Sequence, residues 1–308
     1  MQRPSRSSPG AWGEEMRQLA PVLAIILGGM ILAAGCSGPG TGAAAGGPSW
    51  SVSGDGYLSL SCPAPATVNE RVLEQNASVT LSEISFHNID EEVYGLLAVP
   101  PAPRGAVVLA PGAGITKELE KGRVGTYTMT GCAALVLDLR GNGGETQGRG
   151  FNPDRDYLAF NGGVWPEFYK TACDLVAAQG LVSARLKVPV YAMGASNGGR
   201  YAAIAAAADS GFAGYIGVST SGFGLAGNEY TGNASRFLLS IDPDHVIGRI
   251  SPRPVWIFHS RRDTIIPFEQ GEELFSRALE PKEFIVFNGT HGENGEVDAR
   301  VEEICTAA

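Results

Sequence analysis

Positively charged residues are scarce in this sequence. The 308-residue chain has 23 lysines and arginines against 32 aspartates and glutamates, which gives a formal net charge of −9 and a sequence pI near 5.0. It contains no dense run of basic residues and no interleaving of basic with aromatic side chains. Because binding to a phosphate backbone requires such a cationic surface, we expect that nucleic acid is not a partner.

Two common cofactor signatures are also missing. No Cys-x-x-Cys pair occurs, which argues against a zinc ribbon or a dithiol redox site. No Gly-x-x-x-x-Gly-Lys segment occurs, which excludes a phosphate-binding loop of that type. We therefore predict a protein without a metal ion or an organic cofactor. With 44% hydrophobic residues, the chain is long enough for one large domain.

The first 36 residues indicate an export signal rather than part of the fold. Basic residues precede an apolar stretch, residues 19–35, and small residues stand just before Cys36. The sequence Ala-Ala-Gly-Cys that ends at Cys36 resembles the lipobox of prokaryotic lipoproteins, with alanine where that motif usually has leucine. The resemblance implies a lipid on Cys36 and an extracytoplasmic protein anchored to the cell membrane. Ordinary cleavage after Gly35 and an uncleaved membrane anchor are the alternatives.

We divide the rest of the chain into a flexible linker and one domain. The linker, residues 37–55, begins with a run of Gly, Ala, Thr and Pro that is typical of a tether. The domain is predicted over residues 56–308. Met16 is an alternative start of the chain, which would leave the first 15 residues untranslated.

The segment 188–208 carries the strongest motif. Residues 188–193 are apolar and rich in β-formers, which predicts a buried strand, and residues 202–208 are nearly all alanine, which predicts a helix. Between them lies Gly-Ala-Ser-Asn-Gly, in which the serine is Ser196. Such a segment makes a sharp, strained turn that lifts the serine hydroxyl above the edge of a sheet. Here the chain resembles the α/β-hydrolase family, above all its dienelactone-hydrolase and prolyl-oligopeptidase-like branches.

The order of the elements predicts the fold class. Residues 78–88 and 93–99 are predicted as an antiparallel pair of strands, and apolar strands then alternate with helices down to residue 305. We predict an α/β-hydrolase fold, with a mostly parallel eight-stranded sheet and helices on both faces. Residues 220–254 have room for only a minimal cap.

A serine nucleophile needs a base and an acid, and in this family the acid and then the histidine follow it in the chain. Asp263 follows a predicted strand and begins Asp-Thr-Ile-Ile-Pro, which is similar to the acid turn of the family. His291 follows the next predicted strand, in Gly-Thr-His-Gly. Carboxyl ends of parallel strands are where open α/β sheets bind ligands. The resemblance implies that Ser196 attacks an acyl carbonyl, His291 acts as general base and acid, and Asp263 orients the imidazole.

Backbone N–H groups are expected to bind the oxyanion of the tetrahedral intermediate. One donor is Asn197, directly after the nucleophile. The Pro-Gly-Ala-Gly loop after the predicted strand 106–110 resembles the His-Gly-x-Gly loop of the family, with proline in place of histidine. The resemblance implies Ala113 as the second donor and Gly114 as the next choice.

Other polar residues have ordinary structural explanations. His259 lies within a predicted strand and is expected to be a core or loop-anchoring histidine. Asp138 and Glu145 flank a glycine-rich loop that would shape the pocket. Arg140 could meet an anionic substrate, although a solvated ion pair is the more common environment for such a residue.

Apart from Cys36, the chain has four cysteines: Cys62, Cys132, Cys173 and Cys305. Four cysteines allow three complete pairings, and the spacing does not choose among them. Buried free thiols are an equally good explanation. In the α/β-hydrolase fold the first and last helices lie side by side, so the resemblance implies a bridge between Cys132 and Cys305.

The ordered set of Ser196, Asp263 and His291 predicts a serine hydrolase that cleaves an ester or small amide of a small-molecule acyl substrate. A non-catalytic binding protein on the same scaffold is the alternative from a different class, because a fold does not determine a function. Transfer of the acyl group to an acceptor other than water would use the same residues. The sequence predicts neither the acyl group nor the oligomeric state.

Overall fold

The structure is a computed structural model that describes residues 46–307. The predicted signal segment, residues 1–36, the lipid site predicted at Cys36 and the first part of the predicted linker lie outside the described residues. Within the described range, no helix is both long enough and apolar enough to cross a membrane.

The described residues contain eleven strands, eight α-helices and two 3₁₀ turns. The strands are β1 (Ser49–Val52), β2 (Leu58–Ser61), β3 (Asn69–Gln75), β4 (Thr80–Asn88), β5 (Glu91–Val99), β6 (Gly105–Ala110), β7 (Cys132–Leu137), β8 (Val190–Ala195), β9 (Gly214–Val218), β10 (Val255–His259) and β11 (Lys282–Val286). The helices are α1 (Lys121–Thr128), α2 (Pro153–Asn161), α3 (Glu167–Leu186), α4 (Asn197–Ala208), α5 (Gly232–Ser240), α6 (Pro243–Val246), α7 (Phe268–Arg277) and α8 (Gly295–Thr306), and the 3₁₀ turns are Ala226–Glu229 and Ile247–Ile250.

Nine of these strands form one sheet, in the order β11-β10-β9-β8-β6-β7-β5-β4-β3. Neighbours from β11 to β7 are parallel, and β5, β4 and β3 add to one side as antiparallel strands. The predicted fold class is confirmed. The sheet has one strand more than predicted, because β3 was not recognised. All residues of β3 are exposed and its sequence, Asn-Glu-Arg-Val-Leu-Glu-Gln, lacks the alternation that marks a half-buried strand.

The core lies on both faces of the sheet. Strands β6, β7 and β8 are buried along their whole length, and their near-continuous apolar sequences suit a sheet covered on both sides. Alternate residues of β6 belong to different apolar clusters, one shared with α3 and α4 and the other with α1 and α8. Each fully buried branched side chain in these clusters contributes roughly 1.5–3 kcal/mol relative to exposure.

Two disulfides join elements that are distant in the chain. Cys132, the first residue of β7, is bonded to Cys305 in α8, with 5.8 Å between their Cα atoms. The bridge that the resemblance implied is therefore confirmed, and free thiols at these four positions are ruled out. Cys62, just after β2, is bonded to Cys173 in α3, with a Cα–Cα distance of 5.6 Å.

Regular structure begins earlier than predicted. Strand β1 lies inside the segment predicted as a flexible linker, residues 37–55, so that prediction is wrong for the last part of the segment. Trp50 of β1 anchors the β1–β2 hairpin, since its ring centroid lies 5.5 Å from that of Phe160 and 5.2 Å from that of Tyr169. Composition alone suggested a tether, but the partly buried Trp50, with Val52 and Leu58 in the core, docks this short hairpin.

The cap draws on more of the chain than residues 220–254. Helices α5 and α6 come from that segment, and α2 joins them from the insertion after β7. Tyr157 and Phe160 of α2 pack on Phe237 of α5, with centroid distances of 5.9 and 5.5 Å. Helix α2 was not predicted from the sequence, although it begins with a helix-start signal. The side chain of Asn152 accepts the N–H of Arg155, and proline stands at the first helical position.

Candidate active site

Ser196 occupies the sharp turn between β8 and α4. Its backbone angles, φ 52° and ψ −123°, are unfavourable for a residue with a side chain. A Cβ atom on Gly198 would overlap the carbonyl oxygens of Ala110 and Pro111, and one on Gly194 would lie 2.5 Å from the carbonyl carbon of Gly198. The two glycines therefore permit a close approach of strand and helix that no other residue type would allow, as the motif predicts.

His291 and Asp263 are hydrogen-bonded to each other. The Nδ1 atom of His291 lies 2.9 Å from Oδ2 and 3.0 Å from Oδ1 of Asp263. An ionised carboxylate only accepts hydrogen bonds, so Nδ1 carries the hydrogen and Nε2 keeps a lone pair. The side chain of Asp263 is fully buried, whereas that of His291 is 24% exposed. The pair thus combines a shielded carboxylate with an accessible basic nitrogen.

The carboxylate of Asp263 is held by its own turn. The backbone N–H groups of Ile265 and Ile266 donate to Oδ1, at 2.9 and 3.0 Å. On the other side, Nε2 of the fully buried His259 lies 2.9 Å from the carbonyl oxygen of Ile266 and 3.5 Å from Oδ2 of Asp263. Burial lowers the pKa of His259. The prediction of a core histidine is confirmed, and its packing against the acid was not predicted from the sequence.

Ser196 and the His291 loop flank the same strand end. The N–H of Ser196 donates to the carbonyl of Val218, the last residue of β9, at 2.9 Å. The N–H of Gly292 donates to the hydroxyl of Ser219, the next residue, at 3.1 Å. Among the described residues, no hydrogen bond joins the Ser196 hydroxyl to His291. The structure therefore pairs two of the three predicted residues directly and brings the third to the neighbouring strand end.

The loop after β6 lies against the nucleophile. A Cβ atom on Gly112 would be 3.6 Å from Cβ of Ser196. The N–H of Gly114 donates to Oδ1 of Asn142 at 2.8 Å and is therefore occupied. In the part of the chain that the structure describes, the N–H of Ala113 donates no hydrogen bond. Of the two donors predicted in this loop, Ala113 is thus the one whose N–H is free.

Asn197 begins helix α4 directly after the nucleophile. The first N–H groups of a helix have no acceptor within the helix, and the helix dipole adds partial positive charge there. Burial raises the pKa of the Tyr201 hydroxyl, one turn further along α4, and the side chain of Asn197 acts against that rise. The position of Asn197 at the start of α4 is therefore the feature that suits its backbone N–H to an anion.

The loop after β7 contains a buried cluster of charges. Asp138 accepts the backbone N–H of Lys117 at 2.8 Å, its ammonium at 3.0 Å and the N–H of Glu145 at 2.9 Å. Carboxylate oxygens of Glu118, Asp138 and Glu145 lie within 4.8 Å of one another, a spacing that could suit a cation. The fully buried ammonium of Lys117 pairs with all three and already supplies that positive charge. Asp138 and Glu145 therefore order the loop.

Arg140 is buried rather than solvated. Its Nε lies 2.7 Å from Oδ2 of Asp174, and other guanidinium nitrogens contact a carboxylate oxygen of Asp90 at 2.6 Å and the carbonyl of Asn88 at 2.9 Å. Its side chain is completely inaccessible. The expectation of a solvated ion pair is therefore wrong, because α3 and the β4–β5 turn cover this residue. Arg140 cannot contact a substrate.

A second charge cluster, which is largely buried, adjoins the His291 loop. Glu293, two residues after His291, has a side chain that is only 8% exposed and lies 4.0 Å from the guanidinium of Arg123. Arg123 also pairs with Glu120 and, at 2.9 Å, with Asp298. Burial raises the pKa of Glu293 to about 7, although Arg123 favours the charged form.

Comparison with solved structures identifies the fold. The chain is similar to an acetyl xylan esterase from Paenibacillus sp. R4 (TM-score 0.66, 18% identity, 79% of this chain and 89% of that chain). It is also similar to acetyl xylan esterase 1 from Thermoanaerobacterium sp. JW/SL YS485 (TM-score 0.65, 14% identity, 80% of this chain and 95% of that chain). A third similar structure is the α/β hydrolase GrgF from Penicillium sp. sh18 (TM-score 0.56, 17% identity, 74% of this chain and 99% of that chain). No protein-family model and no curated protein sequence matches the chain. The similarity establishes that this chain has the α/β-hydrolase fold.

Proposed function

We propose that the protein is a serine hydrolase that cleaves esters of small-molecule substrates through an acyl-enzyme. The observation that carries the proposal is the hydrogen bond from His291 Nδ1 to the buried carboxylate of Asp263. It leaves Nε2 as a base at the edge of the sheet where Ser196 occupies its strained turn. A serine, an oriented imidazole and a buried carboxylate are the parts that nucleophilic acyl transfer requires.

In the proposed reaction, Oγ of Ser196 attacks the acyl carbon while Nε2 of His291 takes the hydroxyl proton. The carbonyl electron pair becomes an oxyanion, which the N–H groups of Ala113 and Asn197 bind. The tetrahedral intermediate then expels the alcohol, which receives the proton from His291. Water repeats these steps on the acyl-enzyme and releases the acid. The hydrogen bond between serine and histidine would form in the substrate complex, because such bonds are often long in unliganded enzymes.

Acetyl esters of carbohydrates are the substrate class that we would test first. Two of the structures similar to this chain are named acetyl xylan esterases. A series of p-nitrophenyl esters from acetate to octanoate, assayed beside acetylated xylan, would measure this preference. Highest kcat/KM on the octanoate would contradict it.

The test of the proposal is Ser196→Ala assayed on p-nitrophenyl acetate. We expect kcat to fall by about 10⁴-fold or more and labelling by a fluorophosphonate probe to disappear. Ser276→Ala is the matched control, because Ser276 is exposed on α7 and bonds within its own helix. Activity retained by Ser196→Ala would contradict the proposal. A wild-type protein that neither hydrolyses aryl esters nor reacts with the probe would favour the binding-protein alternative.

We also propose that the protein is extracytoplasmic and anchored by a lipid on Cys36. The disulfides Cys62–Cys173 and Cys132–Cys305 support this location, because structural disulfides persist mainly in oxidising compartments. Metabolic labelling with an alkyne fatty acid should mark the wild-type chain and not Cys36→Ser. An unlabelled wild-type chain in the culture medium would instead indicate ordinary signal cleavage.

A further inference from the structure

We infer that Asn142 is the positioning residue of the oxyanion loop, residues 111–116. Its side-chain amide fixes the backbone around Ala113, whose N–H is the proposed oxyanion donor. The inference rests on the proposed function and adds to it a residue from a different loop. Asn142 acts through the backbone of the oxyanion loop rather than through contact with the substrate.

The amide of Asn142 spans the oxyanion loop with three hydrogen bonds. Its Oδ1 accepts the N–H of Gly114 at 2.8 Å, and its Nδ2 donates to the carbonyl oxygens of Gly112 at 3.0 Å and Ile115 at 2.8 Å. These three residues surround Ala113, which the amide does not touch. The side chain therefore fixes both neighbours of Ala113 and leaves the N–H of Ala113 free.

The oxyanion loop has little else to fix it. Its own backbone contributes the hydrogen bond from the N–H of Ile115 to the carbonyl of Gly112, at 3.1 Å. Gly112 and Gly114 give the loop conformational freedom, and Gly114 has a positive φ of 75°. Pro111 has no N–H to donate. A displacement of about 1 Å in a catalytic group can cost about 10²-fold in rate. The position of the oxyanion loop therefore depends on hydrogen bonds from residues outside the loop.

Asn142 is itself held in place. Its backbone N–H donates to the carbonyl of Leu139 at 3.1 Å, just after β7. In the same loop, the buried Asp138 accepts the backbone N–H of Lys117 at 2.8 Å. The loop after β7 thus holds the centre of the oxyanion loop through Asn142 and the residue directly after it, Lys117, through Asp138. Because Asn142 is fixed close to the buried end of β7, its side chain can determine the position of the oxyanion loop.

The test compares Asn142→Ala and Asn142→Asp with the wild-type full chain on p-nitrophenyl acetate. We expect Asn142→Ala to lower kcat by about 10- to 100-fold with KM nearly unchanged, because the amide supports a transition-state contact. Asn142→Asp is isosteric and keeps the acceptor for the N–H of Gly114. Its carboxylate faces the carbonyl oxygens of Gly112 and Ile115, so we expect a loss of kcat at least as large.

An aryl trifluoromethyl ketone gives a second readout that a purely structural role would not move. The Ser196 oxygen adds to the ketone carbon, its proton passes to His291, and the carbonyl electron pair becomes an oxyanion. In Asn142→Ala the inhibition constant of the ketone should rise by about the factor by which kcat falls, since both quantities report oxyanion binding.

Asn76→Ala is the matched control. The side chain of Asn76 also makes three hydrogen bonds, to the N–H groups of Ser78 and Val79 at 2.8 and 3.1 Å and to Glu74 at 2.9 Å, in the turn between β3 and β4. We expect a small loss of thermal stability with unchanged kcat and unchanged inhibition by the ketone. Comparing Asn76→Ala with Asn142→Ala separates the general effect of losing three side-chain hydrogen bonds from the effect of losing those that fix the oxyanion loop.

Two results would overturn the inference. The first is a kcat within twofold of wild type for Asn142→Asp. This result alone would contradict the inference, even if Asn142→Ala does not fold. The second is a raised KM with unchanged kcat and unchanged ketone inhibition, which would make Asn142 a substrate-binding residue. Ser196→Ala in the same assay separates this failure from that of the proposed function: an active Ser196→Ala refutes the function, an inactive one confines the failure to Asn142.

Discussion

The carboxyl group of Glu293 provides a sharp test of the charge distribution around the His291 loop. Three carboxylates, those of Glu120, Glu293 and Asp298, share the single guanidinium of Arg123. Within residues 46–307, Oε1 of Glu293 has no hydrogen-bond partner. Burial raises the pKa of this residue to about 7 from an ordinary value of 4.5. Substitution by glutamine keeps the shape and removes the charge.

The sign of the pH dependence follows from proton binding. Between pH 4.5 and 7 the folded chain holds a proton on Glu293 that the unfolded chain has released. The free energy of unfolding therefore falls as the pH rises through this interval and levels off above it. The interval between the two pKa values is about 2.5, which at 1.36 kcal/mol per unit corresponds to about 3 kcal/mol lost by pH 8. Glu293→Gln cannot ionise and should not lose this stability.

Urea unfolding followed by tryptophan fluorescence, with the disulfides intact and ionic strength fixed, measures the effect. At pH 5 the wild type and Glu293→Gln should be similar in stability, and at pH 8 the variant should be more stable by about 3 kcal/mol. Glu303→Gln is the control: Glu303 lies on α8, the helix that follows the His291 loop. Its side chain is 67% exposed, and its pair with Arg300 should contribute less than about 1 kcal/mol. A difference between Glu293→Gln and wild type that is equal at both pH values would refute the reasoning.

Three further substitutions test other parts of the structure. Gly198→Ala should destabilise the protein by about 3 kcal/mol in thermal unfolding, because the added Cβ overlaps the end of β6. Gly122→Ala, on the open surface of a helix, should instead raise the free energy of unfolding by about 0.5–1 kcal/mol. Equal effects of the two substitutions would contradict the steric argument. Asp263→Asn should lower kcat by about 10⁴-fold while the fold is retained, since an amide does not stabilise the imidazolium or fix its tautomer; a loss under tenfold would contradict the proposed role. Replacing both Cys132 and Cys305 by serine opens a link across 173 residues and should cost about 5 kcal/mol in urea unfolding by the chain-entropy model; a loss below about 1 kcal/mol would show that the unfolded state is not restrained by this link.

The parts of the site that could be predicted from sequence are those with local constraints. The turn at Ser196 is recognisable because its glycines, strand and helix are contiguous in the chain. Asp263 and His291 each follow a strand, and parallel strands bring their carboxyl ends to one edge whatever the rest of the sequence does. The buried strands β6, β7 and β8 were predictable for a related reason, since burial on both faces requires apolar residues at every position.

The remaining features depend on contacts between distant residues. Arg140 gave no sign of burial, because its partners Asp90 and Asp174 lie 50 and 34 positions away. Asn142 stands in an unremarkable glycine-rich loop, and its role is visible only once that loop meets residues 27 to 30 positions earlier in the chain. Strand β3 is held by backbone pairing with β4 rather than by side-chain burial. No pattern of hydrophobic residues encodes these interactions.

Two buried cations, Lys117 and Arg140, and one partly buried cation, Arg123, pair with carboxylates in the loops at the carboxyl edge of the sheet. Lys117, which directly follows the oxyanion loop, pairs with Asp138. Arg140 joins the loop after β7 to α3 and to the β4–β5 turn. Arg123 of α1 joins Glu293 of the His291 loop to α8. Buried ion pairs add little net stability, because desolvation offsets most of the attraction, yet losing one partner costs about 3–5 kcal/mol. We therefore expect these ion pairs to fix the positions of the loops rather than to add much to the free energy of unfolding. The apolar sheet and the two disulfides supply the stability that lets such clusters persist.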